Sequence, residues 1–323
     1  MAETVSLDAK DYAILKELDQ NFRLPFSVVG KSVHLSKNTV ALRYNRLKQY
    51  FLHNVTGINH ELLGYTLIKI YYSFDFFDTT TQQQVIELFQ SQRHPHMIYA
   101  ARLYGRYDLL IGLLVRNIND FLLSINTFNE HFTKKINHKE IQMVYQENYL
   151  RHNFFYANPL HKKYSIIKVN TALTLSKTEK KILRTIRHNP RMPLTELAQQ
   201  TGLSMKTVYN KLKFLEKKGV IMGYFLTLDL KAFGYSTFKL MIQVHNVAST
   251  KLFEANLTSH KNVRYVAKMF GYWDYEVDFV CKSIHELQDE IEALREQFPE
   301  IVKMIRIISV GKRIATNREH FLL

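Results

Sequence analysis

The feature that most constrains this chain is an internal repeat. The stretch "LSMKTVYNKLKFLEKKG", which contains Ser204, repeats the outline of "LSKNTVALRYNRLKQYF", which contains Ser36. "LSKTEKKILRTI" follows "LDAKDYAILKEL" at the same spacing, and "FGYWDYEVDFVC" repeats "YGRYDLLIGLLV" at nearly that spacing. Self-similarity at a fixed spacing marks a duplicated unit, so the sequence predicts two copies of one module of about 150 residues.

Each module begins with a region that predicts three helices. In the second copy, Ser176 is a predicted N-cap and Glu179, three residues later, completes a capping box. Gly202 favours a left-handed turn before a third helix, which begins after Ser204 and ends at Gly219. Three side chains of this helix recur at i, i+4 and i+7 and are predicted to face inward: Val208, Leu212 and Leu215. A tight turn between the second and third short helices predicts a helix-turn-helix.

After each helical region the periodicity changes. In the second copy "STFKLMIQVH" is typical of a strand, "STKLFEANLTSH" of a helix, "VRYVAKMF" and "DYEVDFVC" of two strands, "IHELQDEIEALREQF" of a helix and "VKMIRIISV" of a strand. The order β-α-β-β-α-β predicts a ferredoxin-like sheet with helices on one face. The fold class is therefore α+β. The other face of the sheet needs a cover, and the second module is available for it.

These patterns predict five parts. The stretch "HNFFYANPLHKKYSIIKVNTALT" has no clear period and includes a proline, so it is predicted to be a connector. The parts are a first winged-helix-like helix-turn-helix at 1–58, a first ferredoxin-like domain at 62–150, a linker at 151–172, a second helix-turn-helix at 173–224 and a second ferredoxin-like domain at 225–323.

The charge of the chain favours a polyanionic partner. Its 323 residues include 44 Lys and Arg but 29 Asp and Glu, which gives a formal net charge of +15. The single cysteine, Cys281, excludes an intrachain disulfide framework and suits a reducing compartment. The sequence contains no apolar block typical of a signal peptide or a membrane span, so we expect a cytoplasmic protein.

The third helix of each module is the candidate DNA-binding element. The face opposite its apolar stripe is cationic and rich in hydrogen-bonding groups, which suits the major groove. The alternative is an ordinary amphipathic helix with a solvated basic face. The predicted DNA-binding residues of the second copy are Ser204, Lys206, Thr207, Tyr209, Asn210, Lys211 and Lys213, and those of the first copy are Ser36, Asn38, Thr39, Arg43 and Arg46.

The second copy resembles the Lrp/AsnC (feast/famine) family of transcription regulators almost throughout. The string from "LSKTEKKILRTI" to "LDLKAFGY" is similar to the family's amino-terminal part, and "FGYWDYEVDFVCKSIHELQDEI" to its ligand-sensing sandwich domain. The resemblance implies a regulator, not an enzyme, that binds double-stranded DNA and self-associates through its sensing domains. It also implies a small-molecule effector, such as an amino acid, bound by two loops through the residues Gly105, Asp108, Gly271 and Asp274.

The first copy departs from this pattern in its DNA-binding half. It has His34 in place of Gly202, Gly30 in place of an alanine, and Phe51 in place of Gly219. Each change predicts a local penalty of about 0.5–1 kcal/mol or a change of geometry. We expect a folded but divergent DNA-binding module, and the alternative is a module kept for packing or dimerisation. With two unlike modules, one chain is expected to form a pseudo-twofold dimer that binds an asymmetric operator.

Two other functions are compatible with parts of the sequence. Siroheme decarboxylases resemble Lrp/AsnC proteins in fold and also consist of two related units, and "HPHMIYAARLYGR" contains the His, Tyr and Arg that tetrapyrrole chemistry needs. Its counterpart "HKNVRYVAKMFGY" repeats no acid–base pair, so we predict no catalytic residue and no cofactor. The other alternative is a chromatin-like protein that coats DNA, against which Thr207 and Asn210 argue because they offer groups for base edges.

The 14 histidines do not predict a metal site. His94 and His96 flank a proline in a predicted loop, but no His, Cys or Asp set has the spacing of metal ligands. Solvated histidines explain this stretch better. We therefore predict that no metal is bound.

Overall fold

The computed structural model describes residues 7–52, 54–91, 96–157, 160, 163–169, 171–246 and 250–316. The helices are α1 (Ala9–Gln20), α2 (Phe26–Val33), α3 (Lys37–Leu47), α4 (Thr79–Gln90), α5 (Ile118–Phe132), α6 (Lys177–Ile186), α7 (Leu194–Thr201), α8 (Met205–Lys217), α9 (Lys251–Ser259) and α10 (Ile284–Gln297). The strands are β1 (Val55–Ile58), β2 (Thr66–Phe74), β3 (Met97–Tyr104), β4 (Leu109–Val115), β5 (Ile136–Tyr149), β6 (Tyr164–Ile167), β7 (Ile221–Phe225), β8 (Ser236–Val244), β9 (Val263–Phe270), β10 (Tyr275–Cys281) and β11 (Val302–Thr316). The α+β class is confirmed. Within these residues, no helix combines the length and the apolar character that crossing a membrane requires.

The chain forms two compact units, and each unit combines the like domains of both repeats. The helix-turn-helix unit contains the described residues up to Asn59, together with Leu150–Tyr164 and Leu173–Tyr235. The sheet unit contains His60–Tyr149, Ser165–Ala172 and the described residues from Ser236 onward. The segment predicted to be a connector is thus divided between the two units, and part of it is strand β6, beside β5.

The same local signals begin the helices of both modules. The hydroxyl of Ser176 accepts a hydrogen bond from the backbone N–H of Glu179, whose carboxylate accepts one from the N–H of Ser176, so the predicted capping box is confirmed. Asp8 and Asp11 form the corresponding box in the first module. The third helices are capped by equivalent serines, Ser36 and Ser204.

The tight turn has the same conformation in both modules, although its residue differs. Gly202 lies in the left-handed region with φ 66°, and His34 adopts it with φ 57°. The helix before the first turn contains Gly30, at which a Cβ atom would lie 2.5 Å from the carbonyl oxygen of Leu35. Replacing the turn glycine by His34 thus preserves the geometry, at a cost of about 1 kcal/mol.

Eight strands of the sheet unit close into a ring. The first repeat has the order β3-β4-β2-β5 and the second β9-β10-β8-β11, the order of a ferredoxin-like βαββαβ unit. β5 pairs with β9 and β11 pairs with β3, both antiparallel, so the two repeats join at two equivalent seams. The ring strands therefore have both neighbours paired, which removes the free edges of each sheet.

Alternation along the strands separates the two faces of this ring. In β2, Ile70, Tyr72 and Phe74 pack against apolar side chains of α4 and α5 on the outside. Lys69 and Tyr71 lie between them in the strand and point the other way, to the inside. The sheet face that the sequence predicts to need a cover is thus enclosed by the sheet of the other repeat.

A buried set of charges occupies the inside of the ring. This interior ion cluster consists of Lys69, Tyr71, Lys239, Glu276 and Asp278. Lys69 Nζ lies 3.0 Å from Glu276 Oε2, Lys239 contacts Glu276 and lies 2.6 Å from Asp278 Oδ1, and the hydroxyl of Tyr71 donates to Glu276. Burial alone would raise the pKa of Glu276, but Lys239, Lys69 and the hydrogen bonds lower it to about 2.

Replacing Glu276 with Gln is predicted to lower the free energy of unfolding of the sheet unit by about 3–5 kcal/mol near neutral pH, because Lys69 would lose its carboxylate inside the ring. The difference should be fully present above the ordinary glutamate pKa of 4.5, and should shrink as the pH falls towards 2, where the folded protein also protonates Glu276. Denaturant unfolding followed by the fluorescence of buried Trp273, the single tryptophan, measures it.

The matched control removes both members of one ion pair. The double variant Lys69→Met/Glu276→Leu leaves Lys239 paired with Asp278 and places at 276 the residue type that the first repeat has at Leu110. It should lose less stability than Glu276→Gln, because no buried charge remains unbalanced. Equal stability of the unchanged chain and Glu276→Gln at pH 7 would contradict this role of the cluster.

Candidate nucleic-acid interface

Helix α8 presents the predicted polar face to the surface. Its inward stripe is buried as predicted, at Val208, Leu212 and Leu215. Ser204 accepts a hydrogen bond from the backbone N–H of Thr207 at 3.1 Å, and the two hydroxyls lie 2.9 Å apart. Four side chains of the predicted set are exposed beyond this cap: Lys206, Tyr209, Asn210 and Lys213. The first turns of the helix therefore combine an amide, a hydroxyl and cations on one surface.

Helix α3 presents a corresponding but less polar surface. Its inward stripe is also buried as predicted, at Val40, Tyr44 and Leu47. Ser36 caps the helix by accepting from the backbone N–H of Thr39 at 3.0 Å, and Asn38 is exposed. Leu42, at the position equivalent to Asn210, has 74% of its surface exposed. An apolar side chain at this point has no group for a base edge but fits the methyl of thymine.

Three of the predicted basic residues bind the first helix of their own module. Lys211 Nζ lies 2.9 Å from the carboxylate of Glu179 in α6. In the first module Arg43 lies 2.6 Å from Asp8 and 2.9 Å from Asp11, and Arg46 also contacts Asp11. These ion pairs fix the third helix to the first. Lys213 instead pairs along its own helix with Glu216, at 2.9 Å.

Two equivalent arginines join the modules within the helix-turn-helix unit. Arg23 Nη1 donates to the backbone carbonyl of Pro190 at 2.6 Å, and Arg191 Nη1 donates to the carbonyl of Phe22. Each arginine and its acceptor occupy matching repeat positions, so the exchange is reciprocal. Strands β1 and β7 also pair antiparallel. This contact was not predicted, although "NFRLP" and "NPRMP" repeat the arginine between the same asparagine and proline.

The two loops predicted to bind an effector have matching internal geometry. The carboxylate of Asp108 accepts from the backbone N–H of Phe74 at 2.9 Å, and that of Asp274 accepts from the N–H of Val244 at 2.8 Å. Both aspartates thus support the fold of their loops. Gly105 and Gly271 have φ values of 121° and 151°, conformations that favour glycine.

The structure brings these loops together around a carboxylate that was not predicted from the sequence. Glu140 of β5 accepts from the hydroxyl of Tyr107 and from Trp273 Nε1, at 3.0 Å for the latter, and lies 2.6 Å from Arg106 Nη2. Burial opposes the charge, but hydrogen bonds from Tyr107, Arg106 and His138 lower the pKa of Glu140. We call these five residues the loop cluster: Arg106, Tyr107, His138, Glu140 and Trp273.

The metal prediction concerns His94 and His96, of which His94 lies outside the described residues. The Nδ1 atom of His96 lies 3.2 Å from the carbonyl oxygen of Leu114, and its Nε2 atom lies 3.7 Å from the carboxylate of Asp120. In the part of the chain that the structure describes, no group of three or more His, Cys, Asp or Glu side chains has an arrangement that would hold a metal ion.

Comparison with known proteins identifies both helix-turn-helix modules. Residues 7–48 match the AsnC-type helix-turn-helix domain, and residues 175–222 match a winged helix-turn-helix DNA-binding family. The HTH-type transcriptional regulator FL11 of Pyrococcus horikoshii is 24% identical over 120 residues, 37% of this chain and 80% of that protein. The leucine-responsive regulatory protein of Rhizobium meliloti is 29% identical over 118 residues, 36% of this chain and 76% of that protein.

A solved structure superposes on nearly the whole of this two-copy architecture. The siroheme decarboxylase NirDL superposes with a TM-score of 0.66 and 15% sequence identity, over 97% of this chain and 96% of that one. This likeness shows a common fold. The two matched helix-turn-helix modules and the regulator relatives make this chain similar to Lrp/AsnC transcription regulators, and each helix-turn-helix module precedes a ferredoxin-like domain.

Proposed function

We propose that this protein is a cytoplasmic transcription regulator that binds double-stranded DNA in a sequence-specific manner. The observation that carries the proposal is the pair of capped third helices, joined in one unit, with exposed polar side chains at their first turns. The net charge of +15 supplies attraction to phosphate, and the relatives matched by sequence are transcription regulators. We infer from those relatives that the protein is not an enzyme.

The two recognition surfaces favour an asymmetric operator. Because one chain provides both modules, every molecule contains the same two unlike recognition surfaces. Asn210 offers an amide that is able to form two hydrogen bonds with adenine, whereas Leu42 at the matching position offers apolar contact. The two half-sites are therefore expected to differ in sequence.

Self-association through the sheet unit is part of the proposal. Helix α5 exposes Ile118, Leu122 and Leu123, and α10 exposes Ile284 at the position equivalent to Ile118. Contiguous apolar residues on an outer helix favour contact with a second copy of the chain. Such contacts would add further pairs of recognition helices to one assembly.

DNA binding should weaken steeply with salt. If several lysines and arginines contact phosphates, raising the salt from 50 to 200 mM should lower the affinity for duplex DNA by roughly 10³-fold or more. Fluorescence anisotropy of a labelled genomic fragment selected by the protein, measured against a shuffled duplex, gives the salt slope and the specificity together. A binding constant that does not change with salt would exclude the proposal, and equal affinity for both duplexes would favour the DNA-coating alternative.

The same preparation separates a regulator from an enzyme. The architecture shared with a siroheme decarboxylase supports that alternative through fold alone. Mixing the full chain with siroheme should leave its absorbance spectrum unchanged if the protein is a regulator. A stoichiometric spectral change, followed by loss of carbon dioxide from the substrate, would favour the enzyme.

The second module is predicted to dominate sequence choice. Asn210→Ala should remove roughly 1–3 kcal/mol of discrimination at one base position, because it deletes an amide that suits a base edge. Lys206→Ala should weaken all sequences about equally, since an exposed cation contacts phosphate without regard to sequence. Selection of binding sites from a random duplex pool measures both effects.

The first module supplies the matched controls for this prediction. Leu42→Ala and Arg43→Ala should change the preferred site less than Asn210→Ala does. For Arg43→Ala the reason is that Asp8 and Asp11 hold the side chain of Arg43. Arg43→Ala should mainly lower stability. A preferred site that is unaltered by Asn210→Ala but shifted by Arg43→Ala would reverse the assignment of the two modules.

We also propose that the loops at Gly105–Asp108 and Gly271–Asp274 bind a small-molecule effector such as an amino acid. Because the two aspartates accept backbone hydrogen bonds, the charged groups that remain for a ligand are those of the loop cluster. Arg106, whose side chain is 41% exposed, suits the carboxylate of an amino acid, and the buried carboxylate of Glu140 holds Arg106 in place.

Calorimetry of the full chain against the common amino acids and nucleotides tests the effector site. At least one amino acid should bind, and Arg106→Ala should weaken it by about tenfold or more, because a charge-assisted hydrogen bond is lost. Arg102→Ala is the matched control, since Arg102 lies in the preceding strand and binds Asp108. If no compound in the panel binds, or if both variants bind as the unchanged chain does, the effector role of these loops fails.

A further inference from the structure

The reciprocal arginines of the helix-turn-helix unit have unlike surroundings. The guanidinium of Arg191 lies over three rings of the first module, 4.4 Å from the centroid of Phe26, 5.2 Å from Tyr44 and 5.6 Å from Phe22. Phe51 packs its ring against two of these, Phe22 and Tyr44. The first module thus covers the arginine of the second with a continuous aromatic surface.

The second module lacks this aromatic surface at the matching positions. Phe22 corresponds to Pro190, Phe26 to Leu194 and Tyr44 to Leu212. Among the described residues, Arg23 therefore lies over a single ring, that of Tyr224 at 5.6 Å. The smaller side chains around Arg23 therefore leave open the space that aromatic rings fill around Arg191.

A cleft of about 400 Å³ lies at this point, within the usual range for small-molecule sites. Its apolar wall is formed by Leu194, Leu212 and the ring of Tyr164. Its polar wall is formed by Arg23 from the first module and by Tyr209, Lys213 and Glu216 from helix α8, so that two cations and one carboxylate line the cleft. The apolar part of the cleft is therefore defined by the loss of symmetry between the modules, whereas Arg23 is the arginine that both modules keep.

The charges around the cleft favour an anion. Burial lowers the pKa of Arg23, which shows that its charge is partly removed from water. Arg23 forms no ion pair among the described residues, since the nearby carboxylate of Glu216 binds Lys213 and accepts from the hydroxyl of Tyr224 at 2.8 Å. A carboxylate placed at Arg23 would gain a desolvated cation as its partner.

We propose that this cleft binds a small aromatic carboxylate. The ring of the ligand takes the place that Phe26 and Tyr44 occupy in the first module, between Leu194 and Leu212, and its carboxylate binds Arg23. Because Tyr209 and Lys213 lie both in the cleft and on the predicted DNA-binding face, an occupied cleft changes the affinity of α8 for DNA. This coupling rests on the proposed function, whereas binding itself does not.

Calorimetry with the full chain tests the site without DNA. The probes are benzoate, phenylpyruvate and indole-3-acetate, with benzamide as the neutral control and hexanoate as the control without a ring. At least one aromatic acid should bind at least about tenfold more tightly than either control. Absence of binding by all three acids at millimolar concentration, or equal binding of the controls, would overturn the proposal.

The repeat itself provides the decisive variant. Leu194→Phe/Leu212→Tyr restores in the second module the rings of the first, so the chain should remain folded and lose the acid, with a dissociation constant raised by at least about tenfold. Arg23→Gln should also weaken the acid, and Arg23→Lys should recover part of the loss because it restores the charge. Circular dichroism confirms that each variant is folded. Undiminished binding by the folded Leu194→Phe/Leu212→Tyr variant would place the acid elsewhere and overturn the proposal.

The coupling is measured separately, by DNA anisotropy with and without the tightest acid. The affinity for DNA should change in the unchanged chain and stay constant in Leu194→Phe/Leu212→Tyr. Equal DNA affinity with and without the acid in both proteins would overturn the coupling. Absence of DNA binding under every condition would instead reject the proposed function, and the calorimetric result would stand independently.

Discussion

The closed sheet depends on the carboxylate of Glu276. This side chain lies inside the ring, where it binds Lys69 and Tyr71 of the first repeat and Lys239 of the second. Without this carboxylate Lys69 would be left inside the ring without its ion pair, and an unpaired charge in a dry interior costs several kcal/mol. Asp278 takes up the second bond of Lys239. The interior ion cluster therefore favours the arrangement in which the two sheets face each other, because its positive and negative charges balance when both repeats contribute.

Duplication makes this arrangement possible in one chain. Lys69 and Lys239 occupy matching positions, but the first repeat has Leu110 and Gly112 at the positions that correspond to Glu276 and Asp278. The absence of a side chain at Gly112 leaves space for the ring of Tyr99, because a Cβ there would lie 2.2 Å from an atom of that ring. A homodimer would have to place the same residue on both sides. A fused pair is free to place acids on one side and small or apolar residues on the other.

Much of the fold is predictable from the sequence because its signals are local or repeated. The Ser176–Glu179 box, the serine caps and the buried stripe of α8 act within one or two helical turns. The βαββαβ order follows from changes in periodicity. What the sequence did not indicate depends on contacts between distant segments: the ring closes through pairing of β5 with β9, and the loop cluster joins Tyr107 to Trp273 through Glu140. Likewise, the ion pairs of Arg43 and Lys211 depend on where α1 and α6 lie beside the third helices, which helical spacing alone does not determine.

The same reasoning explains how the two modules differ around their shared contacts. Residues that build a module internally, such as the serine caps and the acids that hold Arg43 and Lys211, recur because each copy must fold by the same local rules. Residues at the contact between the copies do not have this requirement. In a homodimer one residue of the sequence lies on both sides of the interface, whereas in this chain each side has its own residue. The reciprocal arginines are kept while their surroundings become aromatic on one side and aliphatic on the other. A single chain can therefore place unlike residues on the two sides of this contact, which a symmetric dimer cannot do, and the cleft beside Arg23 lies at such a place.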